Sequence, residues 1–144
     1  MFFNLNFSKK NTDIIQLRVR YAETDQMGVV YHANYLNYFE VGRVEWLRNK
    51  GIPYKSLEEE GIGLPIANIN INYKKSAKYD DLLTIKTTLK SFVGVKVIFD
   101  CELYNEREEL LTTAQFLLVF IAIKTLKPCS PPIKITNLLN DALA

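Results

Sequence analysis

The chain has 144 residues, 48% of them hydrophobic and 24% charged, and eighteen Lys and Arg against sixteen Asp and Glu leave a formal net charge of +2. That length fits one globular domain able to bury about two-thirds of its unfolded surface, and the composition excludes a disordered chain. So small a charge leaves no electrostatic footprint for nucleic acid, and one histidine, His32, with two distant cysteines, Cys101 and Cys129, excludes a Cys/His zinc site.

Met1 to Lys10 places its apolar residues before its lysines, the reverse of a secretory signal, and no apolar run approaches the ~18 residues of a membrane span. The cysteines read as reduced, partly buried thiols, so the expected compartment is the cytoplasm, with no membrane insertion. Ile14 to Tyr21 alternates, with Ile15, Leu17, Val19 and Tyr21 on one face, and predicts a first strand; Glu23 to Gly28 is a polar break. Helical spacing then runs from Asn34 to Asn49. Tyr35, Tyr38, Phe39, Gly42 and Trp46 form its stripe, and Lys50 and Gly51 supply a C-terminal charge and cap. A glycine in mid-helix costs about 1 kcal/mol against alanine, so Gly42 is read as a place where the helix packs close to another backbone. Pro53 starts a short second helix through Glu60, ended by Gly61.

From Pro65 to Ile123 the pattern is β-structure. Its period-2 sets are Ile69/Ile71/Tyr73, Leu83/Ile85/Thr87/Leu89 and Val93/Val95/Val97/Phe99/Cys101/Leu103, and Leu110 to Lys124 becomes apolar on both faces, as in a central strand. Asn105 to Glu109 has the length of a hairpin connection. One strand, one long helix and four strands define an α+β domain with a sheet packed on a single helix.

The segment that crowds chemistry together is Tyr21 to Tyr35, which sets acids, His32, hydroxyls and Gly28 between a strand and a helix. Helix N-termini offer unpaired N–H groups and a positive dipole end, suited to a polarised carbonyl, and a carboxylate such as Asp25 could serve there as nucleophile or general base. Each residue also has a structural reading. Asp25 suits a turn former, His32 a packed histidine, the tyrosines core residues, and Gly28 either a turn or a close backbone approach. There is no G-x-S-x-G elbow, P-loop or H-E-x-x-H, and Gly61-Ile62-Gly63 lacks the third glycine of a dinucleotide fingerprint. Lys74, Lys75 and Lys78 form a small basic cluster that suits either a phosphate or a solvated edge.

Asp25-x-Met27-Gly28-Val29-Val30-Tyr31-His32-Ala33-Asn34-Tyr35, followed by Phe39-Glu40 and Arg43, resembles the signature of the 4-hydroxybenzoyl-CoA thioesterase family. It is most similar to the bacterial acyl-CoA thioesterase branch associated with the Tol–Pal system. The similarity runs from about Ile15 to Pro132 and includes Ser76-Ala77-Lys78-Tyr79-Asp80-Asp81. The resemblance implies one hotdog domain over residues 1–144, its core about 14–132, in which a curved antiparallel sheet wraps the long central helix. It further implies a homo-oligomer, dimer or tetramer, with active sites at the dimer interface.

On this resemblance the catalytic aspartate falls on Asp25, as nucleophile or general base, and the helix-start N–H that polarises the thioester carbonyl falls on His32. Tyr21 and the His32 imidazole match further residues implicated in catalysis. Gly28, Val29 and Tyr31 belong to the substrate-binding block, with Lys74, Lys75 and Lys90 as candidate contacts for coenzyme A phosphates. A thioester carbonyl is already electrophilic and thiolate is a tolerable leaving group, so one carboxylate and one oxyanion donor suffice without a triad. No metal or cofactor is implied beyond the coenzyme A of the substrate. The chain departs from the branch at Cys129, where arginine is common. A hydroxyacyl dehydratase is disfavoured because the helix carries no histidine. The alternative from another class is a non-catalytic module that binds acyl-CoA or acyl carrier protein.

Overall fold

The computed structural model describes residues 9–144; of the N-terminal stretch read above for targeting signals, residues 1–8 lie outside the described residues. In chain order the elements are β1 (Thr12–Arg18), α1 (Asn34–Asn49), α2 (Tyr54–Glu59), β2 (Ile62–Gly63), β3 (Ile66–Tyr73), β4 (Leu82–Val93), β5 (Lys96–Tyr104), β6 (Leu110–Val119), β7 (Ile121–Ala122) and α3 (Ile133–Leu143). Five strands form one antiparallel sheet in the order β1-β4-β5-β6-β3, and β2 pairs with β7 in a separate two-stranded sheet. One strand, one long helix and four strands around it is the hotdog arrangement.

Alternation explains how the sheet wraps α1. Leu83, Ile85, Thr87 and Leu89 on β4 and Val97, Phe99, Cys101 and Leu103 on β5 are all buried, and apart from Thr84, which is buried too, the residues between them are more open. On α1 the buried stripe is Tyr35, Tyr38, Phe39, Gly42, Arg43, Trp46 and Leu47. Trp46 meets Phe99 edge to face at 5.1 Å and Phe39 meets Phe116 at 5.8 Å, the T-shaped geometry that aromatic quadrupoles favour. The Trp46 indole N–H donates to the Asn11 carbonyl at 3.0 Å, so burial leaves it paired. Gly42 is the close approach its position foretold: a Cβ there would stand 2.7 Å from Thr87 Oγ1 and 2.8 Å from Ile85 Cγ2. Cys101 is buried in the same layer, and burial pushes its thiol up to about 12. Both Cys101 and Cys129 are free.

The structure corrects the reading in four places. The first strand ends at Arg18, and Tyr21 belongs to a short 3-10 turn, Tyr21–Glu23, that swings its ring into solvent at 77% exposure. The run from Val93 to Leu103 is two strands, because Gly94, at φ +65°, turns the chain and pairs Val93 with Lys96. The doubly apolar run ending at Lys124 also divides, β6 lying between β5 and β3 and β7 crossing to pair with β2. The fourth is α3, which starts after Pro132 and buries Ile135, Leu139 and Ala142, the spacing of one helical face.

Candidate active site

The segment between β1 and α1 is held in shape from both sides. The Asp25 N–H donates to the Val29 carbonyl at 2.9 Å and the Gly28 N–H to the Asp25 carbonyl at 3.0 Å, closing a turn in which Gly28 takes φ +80°. Thr24 bridges Val30 and Val29 bridges Lys78, and the Val30 N–H donates to the Ala77 carbonyl at 2.9 Å. The loop therefore lies as an extra ribbon beside the Ser76 to Asp81 segment.

Glu23 ties this ribbon to the helix. Its carbonyl accepts the Tyr31 N–H and the Asn34 side-chain amide, each at 2.9 Å. Its carboxylate accepts the Arg20 backbone N–H at 2.8 Å, the Arg20 guanidinium at 3.0 Å and the Tyr38 hydroxyl at 2.9 Å. Burial works to raise the Glu23 carboxyl, but these donors prevail and hold it below its ordinary value. Burial first, then the Glu23 carboxylate, raise the Tyr38 hydroxyl, which stays a neutral donor.

Beside this anchor a cleft of about 270 Å³ is lined by Asp25, Val29, Val30, His32, Tyr35, Tyr73, Lys74, Lys75 and Ser76. One Asp25 oxygen, Oδ1, accepts the Met27 N–H at 2.8 Å, which fixes the carboxylate's orientation; among the described residues the other oxygen has no hydrogen-bond partner. At the helix entrance the His32 carbonyl accepts the Tyr73 hydroxyl at 3.0 Å, while no acceptor pairs with the His32 N–H among the described residues. An acceptor-free amide just ahead of the positive end of a sixteen-residue helix suits a developing oxyanion, and His32 lines the same cleft as Asp25. Tyr35 closes the floor: its hydroxyl accepts the Ala77 N–H at 3.0 Å, its ring meets Tyr73 edge to face at 5.3 Å, and burial raises its hydroxyl so that it stays neutral.

The structure thus brings Asp25, Val29, His32, Lys74 and Lys75 together. Gly28 shapes the turn without lining the cleft, and Tyr21 packs against Tyr79 at 5.5 Å, away from it. Tyr31, 46% exposed, lies on the outer side of the His32 ring with centroids 4.4 Å apart. Lys90 is remote: Tyr73 is level through Thr112 and Leu103 with Ile85, three strands across, and Lys90 lies five residues further along β4. Val30, Tyr35, Tyr73 and Ser76, though quoted in the sequence patterns, were given no place in the site from sequence. Tyr73 had a usable signal, since the alternating set Ile69/Ile71/Tyr73 ends directly before Lys74 and Lys75.

A five-stranded antiparallel sheet around one long helix, with Asp25 and His32 lining one cleft where that helix begins, defines the class as a hotdog domain. Known proteins agree. The family described as the thioesterase-like superfamily matches residues 19–139. A putative acyl-CoA thioesterase of Bacillus subtilis, YneP, is 38% identical over 113 residues, 78% of this chain and 82% of that protein. The Escherichia coli acyl-CoA thioester hydrolase YbgC is 33% identical over 116 residues, 81% of this chain and 87% of that protein. Among solved structures, a DHNA-CoA thioesterase from Staphylococcus aureus superposes with a TM-score of 0.84 at 35% identity, covering 92% of this chain and 88% of that one. The chain belongs to the thioesterase-like superfamily, and the resemblance drawn from the Asp25 to Tyr35 block is borne out.

Proposed function

We propose that Asp25 carries the hydrolysis of an acyl-CoA thioester while the His32 amide holds the carbonyl oxygen. The chain is a thioester hydrolase of the acyl-CoA thioesterase kind. The single observation that carries the residue assignment is that Asp25 and His32, whose N–H has no acceptor among the described residues, line one cleft. Asp25 either adds to the carbonyl carbon, forming a mixed anhydride that water opens, or takes a proton from the attacking water. In both routes the C–S bond breaks, its electrons leave on the coenzyme A thiolate, and charge develops on the carbonyl oxygen where the amide can meet it. The Tyr31 carbonyl, in the same peptide unit as the His32 N–H, accepts the Asn34 N–H at 2.9 Å and fixes its direction, and Tyr73 anchors the next unit through the His32 carbonyl.

The cleft mouth supplies a cation for the phosphates. Lys75 is engaged with Glu109 at 2.7 Å, whereas Lys74 has no ion pair among the described residues, so Lys74 is the better placed. The active unit is an oligomer. Strand β3 is an edge whose Ile66, Ile69 and Tyr73 are 41%, 38% and 48% exposed, an apolar open strand that a second copy would cover beside the cleft. The environment is cytoplasmic; among the described residues no helix is long and apolar enough to cross a membrane.

Release of free thiol from aryl, short and long acyl-CoA thioesters, by the wild-type chain and by Asp25→Asn, tests the reading. Turnover falls by at least about a hundredfold in the variant, the lower range for a positioned acid or base, with thioester binding retained. Near-normal turnover in Asp25→Asn removes Asp25 from the chemistry. Binding without hydrolysis by the wild type identifies a carrier module instead.

A further inference from the structure

The end of the sheet away from the Asp25 cleft, where Lys96 pairs with Val119, gathers three segments around Phe120. The Phe120 N–H donates to the Val95 carbonyl at 2.9 Å, its ring meets Phe92 at 6.0 Å, and its carbonyl accepts the Cys129 N–H at 3.0 Å. The β4–β5 turn, the loop after β7 and the approach to α3 are thereby brought to one pole of the molecule. Val93, Leu126 and Ile133 stand on these segments at 74%, 72% and 73% exposure, the three most exposed Val, Leu or Ile side chains among the described residues. Leu126 is the hardest of them to explain by folding. It takes φ +59° in a loop closed by its own N–H to the Ala122 carbonyl at 2.8 Å, a conformation that suits glycine or asparagine, and no burial of its side chain offsets the cost.

Charge gathers at the same pole. No Asp or Glu lies between Asp81 and Asp100 or between Glu109 and Asp141. Lys90, Lys96, Lys124, Lys127 and Lys134, on these stretches, are exposed and make no ion pair among the described residues. Glu58, Glu59 and Glu60, at the end of α2, mark the border of the pole, where the Ile123 N–H donates to the Gly61 carbonyl at 2.9 Å and Glu60 shares a groove with Lys134. We propose that this pole rests on an anionic phospholipid bilayer, with Val93, Leu126 and Ile133 entering the headgroup layer, the five lysines meeting phosphate, and no segment crossing the membrane. Separate aliphatic knobs set among lysines suit a lipid surface better than a protein partner. Protein interfaces are depleted of lysine and centre on a continuous apolar patch, whereas at a bilayer the lysine stem lies along apolar surface while its ammonium reaches the phosphates. None of these residues lines the Asp25 cleft, so vesicle binding is read independently of hydrolysis.

Co-sedimentation of the whole chain with vesicles of phosphatidylcholine alone, and of equal parts phosphatidylcholine and phosphatidylglycerol, tests the contact. Each lysine close to an anionic leaflet strengthens binding by about fivefold, so the mixed vesicles should bind at least about tenfold more tightly than the neutral ones, and added salt should weaken them. The combined substitutions Lys124→Gln, Lys127→Gln and Lys134→Gln should lower binding to the mixed vesicles by at least about tenfold. Leu126→Asn suits the left-handed turn and leaves the net charge unchanged, yet should lower it several-fold by removing an apolar side chain from the contact. Thermal melting verifies folding, and if Leu126→Asn fails to fold, Ile133→Ser at the exposed start of α3 takes its place. No binding to either vesicle, equal binding to both, indifference to salt, or wild-type binding by either variant overturns the proposal. Loss in the lysine variant alone counts among these, since it would be charge attraction without a docking surface.

Discussion

Asp25 shows why a residue's structural and chemical readings need not compete. Its Oδ1 accepts the Met27 N–H, as an Asp in a turn commonly does, and that same bond holds the carboxylate at the wall of the cleft. His32 divides its work differently, since its carbonyl is held, its N–H has no acceptor among the described residues, and its ring lies tilted against Tyr31. Tyr73→Phe removes one hydroxyl and frees the His32 carbonyl. We expect kcat to fall several-fold with little change in KM and a stability loss of about 1 kcal/mol, the worth of one ordinary hydrogen bond. Steady-state kinetics and a denaturant melt check both, and an unchanged kcat would show that the amide needs no such support.

Among the elements, α1 sets the tolerance of the whole sheet. Gly42 lets the helix approach β4 so closely that a Cβ would stand 2.7 Å from Thr87 Oγ1, a hydroxyl in the buried layer. Gly42→Ala gains helix propensity yet forces β4 or α1 to shift, and overpacking of this kind costs about 1–3 kcal/mol. A lowered Tm in the variant supports the contact; a raised one would mean that the helix can move away freely. This helix was legible in the sequence because its aromatic stripe, Lys50 and Gly51 all point to the same boundaries, and α2 was bracketed by Pro53 and Gly61. The β4–β5 hairpin was hidden by apolar residues on both sides of Gly94, which read as one strand until the pairing of Val93 with Lys96 is known. The proposed catalytic pair, Asp25 and His32, was drawn from family resemblance rather than from spacing. Arg43 was quoted within that block, but its burial depends on Phe116, a residue distant in sequence and near only in the fold.

At the scale of the molecule, two carboxylates couple the fold to pH. Glu109 is held at about 2, first by the Lys75 hydrogen bond and then by Asn105 and Arg107, and Glu23 is also lowered, against an ordinary value of 4.5 for both. Each binds its proton less readily folded than unfolded. Their contribution is therefore complete above about 4.5 and is lost as pH falls towards the folded values. Melting temperature should drop through that acid window, and Glu23→Gln should flatten part of the drop; a profile identical to wild type would mean that Glu23 keeps its ordinary affinity for protons. Assembly is the second property at this scale. The Lys74 N–H donates to Leu111 on β6, so by alternation the Ile69 N–H faces the open side of edge strand β3; Ile69→Pro removes that donor, and sedimentation should show a shift to monomer if that edge is where copies meet.

The buried Cys101 gives the molecule a silent reporter. Only thiolate reacts with alkylating or disulfide reagents, and a thiol pushed up to about 12 in a closed layer reacts at neutral pH only when the layer opens. Cys129, more open and next to Ser130, is the thiol that labels from the folded state. Pulsed alkylation read by mass should give one fast and one slow modification, and the slow rate follows how often β5 parts from the helix. A ligand that binds the closed fold should slow it further, and such protection would register binding without any turnover.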